Sequence, residues 1–144
     1  MTVQVRRSAG AAEFEAVLDL RHRVFCVEQG VPKAEEIDGR DGEAVHLVAI
    51  DEGGRVVGTC RLLFANRTVQ FSRLAVDSGV RRGGIATRLL GEAEREARVH
   101  GARRIVLHAQ TYARDLYLLA GYEERGRTFV EAGIEHVAME KRLA

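Results

Sequence analysis

Arg81, Arg82, Gly83, Gly84, Ile85, Ala86 and Thr87 place two arginines and two glycines directly before an amphipathic helical pattern. That arrangement suits phosphate oxygens. Glycine lets a backbone approach a ligand closely and take angles that other residues resist. The first turn of a helix leaves N–H groups unpaired, and the helix dipole adds partial positive charge there. Arg81, Arg82 and Arg88 add full charges. The expected guest is an oxyanion such as a pyrophosphate. The spacing is neither Gly-Lys-Ser/Thr nor Gly-x-Gly-x-x-Gly, the two commonest phosphate loops. Residues 81–86 alone read equally well as a glycine helix cap beside a basic surface.

Two elements must position this turn. Residues 69–76 before it form a strand-like run, and residues 85–99 after it form the helix. In the run, Val69 and Phe71 occupy odd positions, whereas Leu74 and Val76 occupy even ones. Strand side chains alternate with period two, so the apolar face changes parity near Ser72 and Arg73. One extra residue there, a β-bulge, restores a single buried face.

The remaining elements follow from periodicity. Val3 and Val5 alternate with polar neighbours as a short strand. Phe14, Val17, Leu18, Val24 and Phe25 recur at helical spacing and predict a helix over residues 11–27. Residues 28–43 lose all periodicity and contain Gly30, Pro32, Gly39 and Gly42, which marks a loop. This loop is acidic, with Glu28, Glu35, Glu36, Asp38, Asp41 and Glu43, and reads acid by acid as a solvated surface. Strands follow at 45–50 and 55–64, joined by Gly53-Gly54, with a further hairpin turn at Ala65-Asn66-Arg67. Gly101 closes the helix over 85–99. A short buried strand spans 104–109, and Gly121 closes a helix over 111–120. Tyr122 opens another strand, and residues 134–143 form the last. The order β-α-loop-β-β-β-α-β-α-β-β predicts a mixed sheet covered by helices. The ligand cleft belongs at the carboxyl ends of its central strands.

The 144 residues make one domain, 1–144, long enough to bury a core without staples. A net charge of +1 offers no bulk field for nucleic acid. Cys26 and Cys60 lack metal-type spacing and read as small core residues, so no metal is expected. No apolar run reaches about 18 residues, and the first residues lack a signal-peptide core, so a cytoplasmic protein without membrane partners is expected.

Arg81-x-x-Gly84-x-Ala86 resembles the pyrophosphate-binding Arg/Gln-x-x-Gly-x-Gly/Ala motif of the GCN5-related N-acetyltransferases (GNAT). Leu74-Ala75-Val76-Asp77 stands where these enzymes present backbone to acetyl-CoA. Gln110-x-x-Ala113-x-x-x-Tyr117-x-x-x-Gly121-Tyr122 is similar to their Asn-x-x-Ala-x-x-x-Tyr-x-x-x-Gly-Phe, with Gln110 for Asn and Tyr122 for Phe. Residues 20–32, Glu36-x-Asp38-x-x-Asp41, His46-Leu47-Val48-Ala49 and Gly133-Ile134-Glu135-His136-x-x-Met139 resemble the ElaA/YjcF-like branch.

The resemblance implies an α/β fold with a central mixed, mostly antiparallel sheet of six to seven strands. About four helices flank it, and it is splayed at the central strand. It also implies acetyl-CoA as cosubstrate. Leu74, Ala75, Val76, residues 81–87, Gln110, Ala113 and Tyr117 would line its site. The reaction would be direct attack by a primary amine of a small acceptor in a ternary complex. A backbone N–H near Val76 would polarise the carbonyl. Tyr117 would protonate the leaving thiolate; a phenol with pKa about 10 is protonated at neutral pH. Read by itself, Tyr117 is a ring packed beneath Ala113 with its hydroxyl at the surface, and Tyr112, on another helical face, is a core residue.

An alkylamine must lose a proton before attack. Glu28, Asp38, Asp41, His46, His108 and His136 are candidates to take it. Glu28, at the mouth of the acidic loop, is favoured. His46 and His108 read as core histidines. Arg61 and Arg73 are strand arginines, candidate partners for an acidic substrate group or for buried carboxylates, and otherwise solvent-facing or paired in salt bridges. The loop's acids would suit a cationic acceptor. Two other functions share the fold: an acyl-homoserine-lactone-synthase-like acyltransferase, and a non-catalytic acyl-CoA sensor. A homodimer is common in the superfamily.

Overall fold

A computed structural model describes residues 2–143; Met1 and Ala144 lie outside the described residues. Seven strands form one sheet in the order β1-β2-β3-β4-β5-β7-β6. They are β1 (Gln4–Arg7), β2 (Val45–Ile50), β3 (Val56–Ala65), β4 (Thr68–Val76), β5 (Arg104–Gln110), β6 (Glu123–Glu131) and β7 (Ile134–Arg142). Four helices accompany them: α1 (Gly10–Arg21), α2 (Lys33–Glu36), α3 (Ile85–Val99) and α4 (Arg114–Leu119). Every neighbouring pair is antiparallel except β4 and β5, which run parallel. The expected order of strands, the bounds of α3 and the mixed sheet are observed; the segment 28–43, expected as loop, also holds the one-turn α2 and a 3-10 turn at Asp41–Glu43.

Alternation along each strand sorts the core onto two faces. On one face Leu47, Cys60, Leu62, Val69, Phe71, Ile105, Leu107 and Met139 meet Ile85, Leu89, Ala93 and Ala97 of α3. On the other, Val48, Val56 and Ala75 meet Val17 and Leu20 of α1 and Val24 beyond it. α1 covers only the β2–β4 half of that second face. Above β5, β7 and β6 it is open.

The first helical pattern does not stay α-helical to its end. Beyond α1 the chain continues as a π-helical segment, His22–Glu28, closed by Gln29 N–H to Val24 O at 3.2 Å. The bulge predicted from the parity change is present. Ala75 pairs with Thr59 and Ser72 with Arg61, so β4 carries one residue more than β3 between those rungs, and Arg73 takes φ 55°. After the bulge, Leu74 and Val76 return to the face of Phe71. The β3–β4 turn has φ 49° at Asn66 and 63° at Arg67, the pattern of a two-residue hairpin.

α3 approaches the sheet closely because residue 58 is glycine. A Cβ there would lie 2.8 Å from Ile85 Cγ2 and 3.0 Å from Leu89 Cδ1. A glycine inside a strand marks such an approach.

Candidate active site

β4 and β5 are hydrogen-bonded only from Thr68/Arg104 to Phe71/Leu107. The bulge turns β4 away at that point, while β5 stays with β7 as far as Gln110 and His136. The gap between the two carboxyl ends opens into a cavity of about 1020 Å³. This is the cleft the topology predicts. Asp77 N–H donates to Val57 O across the β3–β4 ladder, at 2.9 Å. By alternation the N–H of Val76 points the other way, into the gap. Ala75 does not share this role. It pairs with Thr59, and its side chain is buried against the α1 side, away from the cavity.

At one end of the gap lies the glycine turn. Gly84 takes φ 79° and Arg82 takes φ 70°. The first internal bond of α3 runs from Arg88 N–H to Gly84 O, so Ile85, Ala86 and Thr87 present N–H groups with no acceptor inside the helix. These three residues, with Arg81, Arg82 and Gly84, face the cavity; Gly83 does not line it. Arg88 also departs from expectation. Its guanidinium donates to Val3 O at 2.6 Å and ties α3 to the start of the sheet.

Arg81 is fixed from two sides. Its Nε donates to Val76 O at 3.0 Å, and its Nη2 lies 2.6 Å from Glu28 Oε1. Glu28 therefore closes the π-helical segment onto the phosphate turn. Glu28 Oε1 is engaged in that charge-assisted bond, a positioning role distinct from the base role expected of it.

Tyr117 sits on α4 at the opposite wall. Its ring is buried, edge-on to Phe71 and Tyr122. Among the described residues its hydroxyl has no hydrogen-bond partner, and the side chain lines the cavity with Leu116 and Ala113. Burial, with Cys60 and Tyr112 nearby, raises the phenol above the ordinary tyrosine range. Tyr112 is not core: it is 74% exposed and receives a bond from Gln29 Nε2 at 3.1 Å. The first turn after β5 is a tight 3-10 turn, Thr111–Ala113, and this rotates Tyr112 off the face that helical spacing assigns it. Gln110 forms a reciprocal amide pair with Gln29, at 2.9 and 3.3 Å, which bridges the π-helical segment to the end of β5.

The acidic loop is a solvated surface only in part: Glu28, Glu35, Asp38 and Glu43 are exposed, whereas Glu36 is buried and Asp41 half-buried. Arg21, fully buried on α1, binds both oxygens of Glu36 at 2.6 and 2.8 Å and Asp41 at 2.9 Å. Arg61 binds both oxygens of Asp38 at 2.8 Å and also Asp41 at 3.1 Å. Arg73, displaced by the bulge, donates to Glu36 O at 2.9 Å. Arg40 pairs with Glu43 at 2.6 Å. The Arg61 bond holds the Asp38 carboxyl well below the usual range. Burial opposes ionisation of Asp41, but Arg21 and Arg61 outweigh it and hold that carboxyl low as well. Burial, followed by the neighbouring Arg61, lowers Arg73. The loop thus brings little uncompensated negative charge to the cavity, contrary to what its composition suggests for a cationic acceptor.

The histidines divide. His46 is buried, with Nε2 2.9 Å from Asp41 O, and it does not line the cavity. His108 and His136 do line it, on the open face of β5 and β7. His108 is 45% exposed and pairs with Glu131, so it is not a core histidine. Of the cysteines, Cys60 is core and Cys26 is only partly buried. The Gln29–Gln110 pair, the Glu131 contact and the packing role of Gly58 escaped the sequence reading. Only Gly58 leaves a local trace, as a glycine inside an apolar strand.

A family model for an acetyltransferase (GNAT) domain matches residues 10–143. The N-acetyltransferase YjcF of Bacillus subtilis, itself uncharacterized, is 34% identical over 123 residues, which cover 85% of this chain and 87% of YjcF. Among solved structures, an acyl-CoA N-acyltransferase from Pseudomonas aeruginosa aligns with a TM-score of 0.84 at 28% identity, covering 97% of this chain and 98% of that one. Escherichia coli ElaA aligns with a TM-score of 0.86 at 23% identity, covering 97% and 99%.

Proposed function

Because the chain belongs to the GNAT acetyltransferase family, in its ElaA- and YjcF-like branch, we propose that it transfers an acetyl group from acetyl-CoA to a primary amine of a small acceptor. The observation that carries this reading is the parting of β4 and β5 beyond Phe71 and Leu107, between the glycine turn and Tyr117.

The pantetheine arm lies in the gap along Leu74 and Val76, with Ala113 and Gln110 on its far side. The N–H groups of Ile85, Ala86 and Thr87 receive the pyrophosphate. Arg81 and Arg82 add charge, and Gly83 and Gly84 shape the turn. The Val76 N–H donates to the thioester carbonyl oxygen, where negative charge develops during attack. The amine enters over the open face of β5 and β7. Its nitrogen bonds to the carbonyl carbon in a ternary complex, the C–S bond breaks, and the Tyr117 phenol protonates the departing thiolate. Much of the rate comes from holding donor and acceptor together. Glu28 keeps Arg81 in register with the turn, and Ala75 contributes only its place in the β3–β4 ladder.

Thiol release by the purified protein, given acetyl-CoA and a panel of primary amines, tests this, beside thermal shift with acetyl-CoA alone. An amine-dependent release with a stabilising shift is expected. A shift without release would leave an acyl-CoA sensor, and no shift would remove acetyl-CoA from the site.

A further inference from the structure

We propose that His108, oriented by Glu131, is the group that takes the proton of the attacking amine. The inference rests on the amine-acyltransfer reading above and names a catalytic residue for that reaction.

His108 is the first β5 residue beyond the last β4–β5 rung, so its backbone stands where the gap opens. Alternation places it on the face that α1 leaves uncovered, opposite Ala138 of β7. Its Nδ1 lies 2.8 Å from Glu131 Oε2 on β6. A carboxylate accepts, so Nδ1 carries the hydrogen, and in the neutral imidazole Nε2 then holds the lone pair. Nε2 has no partner among the described residues. Phe129 fixes the ring further, edge-on at 4.9 Å, and itself stacks on His136 at 6.0 Å. His136 is held in turn by Nδ1 to Ile134 O at 2.7 Å.

This assembly does little for folding. His108 and Glu131 are 45% and 48% exposed, and a pair so exposed adds little stability. Four of the other candidates are engaged elsewhere: Glu28 Oε1 is bonded to Arg81, Asp38 and Asp41 are bonded to arginines, and His46 lies outside the cavity. His136 lines the cavity but is buried at 7% exposure, whereas His108 is open to an entering amine.

In the step, the acceptor ammonium gives one proton to His108 Nε2, while Nδ1–H stays on Glu131, and the freed lone pair forms the N–C bond. The C–S bond breaks, and the thiolate takes the Tyr117 proton. The new amide nitrogen sheds its second proton, which solvent carries to the Tyr117 phenolate, and the His108 imidazolium returns its proton to solvent. Ammonium and thioester have then become amide, thiol and one solvent proton.

The test compares wild type with His108→Gln, Glu131→Gln and His136→Gln, using acetyl-CoA and the amine panel. Thermal shift by acetyl-CoA reports whether the donor site is intact. The His108→Gln variant should keep that shift and lose about 100-fold or more in kcat near pH 7. The deficit should shrink as pH approaches the amine's own pKa of about 10, where solvent supplies the neutral nucleophile. Glu131, a positioning residue, should show a smaller kcat loss in Glu131→Gln, with KM for acetyl-CoA unchanged. The charged or titratable groups that could contribute to the same profile are Glu131 and Arg125 from β6, His136 and Glu140 from β7, Arg73 from β4 and, across the cavity, Arg61 with Glu35, Glu36 and Asp38 of the loop; Gln70 and Ser72 of β4 are neutral. Unchanged turnover in His108→Gln, or a pH-dependent loss confined to His136→Gln, overturns the assignment while leaving acyl transfer intact. A wild-type protein that shifts with acetyl-CoA but acetylates nothing overturns acyl transfer, and the assignment with it.

Discussion

Phe71 and Leu107 form the last rung between β4 and β5, and everything ascribed to the cavity depends on the ladder ending there. The cause lies two residues further along β4. At Arg73 the extra residue of the bulge takes φ 55° and swings Leu74 and Val76 away from β5. Arg73 then reaches the loop carbonyl of Glu36. One insertion in a strand thus opens the gap and anchors the loop that walls it.

Replacing Tyr117 with Phe should lower kcat by about 100-fold or more and leave acetyl-CoA affinity nearly unchanged. The ring contacts with Phe71 and Tyr122 survive in the variant, and the hydroxyl forms no internal bond that folding would lose. Burial raises the phenol, so the wild-type kcat profile should show no falling limb from Tyr117 up to about pH 10. Steady-state kinetics beside acetyl-CoA thermal shift decide the matter; equal kcat in the variant would remove Tyr117 from the acid role.

Gly84→Val should weaken acetyl-CoA binding at least tenfold. Gly84 has φ 79°, a region that costs residues with a Cβ about 1–2 kcal/mol and β-branched residues more. The turn must shift to relieve it, and the N–H groups of Ile85, Ala86 and Thr87 shift with it. Unchanged affinity by calorimetry would contradict the pyrophosphate assignment. The folded fraction should be checked by circular dichroism, because nothing within 4 Å obstructs a Cβ and only the backbone angle resists it.

The backbone features to which the donor half is ascribed were largely legible in the sequence because they are local. The turn over 81–87, the parity change at Ser72 and Arg73, and the placement of Tyr117 are all set by neighbours within one or two turns of chain. The acceptor half was not legible, because it is assembled across the fold. Glu131 meets His108 only because β7 lies between β5 and β6 in the sheet. Glu36, Asp38 and Asp41 read as solvated because Arg21 and Arg61, which neutralise them, lie 15 to 23 residues away in sequence. Tyr112 was misplaced because a 3-10 turn, not an α-turn, opens its helix.

Arg21→Met should destabilise the fold by about 3–5 kcal/mol, the range for removing one partner of a buried ion pair. Glu36 is 5% exposed and would keep only Arg73, 3.4 Å away, while Asp41 would keep only Arg61. Methionine fills much of the volume, so the loss measures charge rather than packing. Urea unfolding is the readout. A change below about 1 kcal/mol would mean that water reaches the network readily. With the loop loosened, KM for the acceptor should rise more than KM for acetyl-CoA.

The same network should set the acid limit of stability. The carboxyls of Asp38 and Asp41 lie below their ordinary value in the folded protein, which is about 3.9 in the unfolded chain. A carboxyl depressed by folding contributes fully above its unfolded value, and that contribution is lost as pH falls through the lower folded value. The melting temperature should therefore stay nearly level from pH 8 to about pH 5 and fall below about pH 4. Asp38→Asn removes the group whose depression is driven first by the Arg61 bond, and it leaves Arg61, 3% exposed, with Asp41 alone. The variant should melt lower than wild type at pH 7. It should also lose less on acidification, so that the two curves approach each other near pH 3. Parallel curves would show that Asp38 has the same affinity for its proton folded and unfolded, and that Arg61 does not hold it as the 2.8 Å contacts indicate.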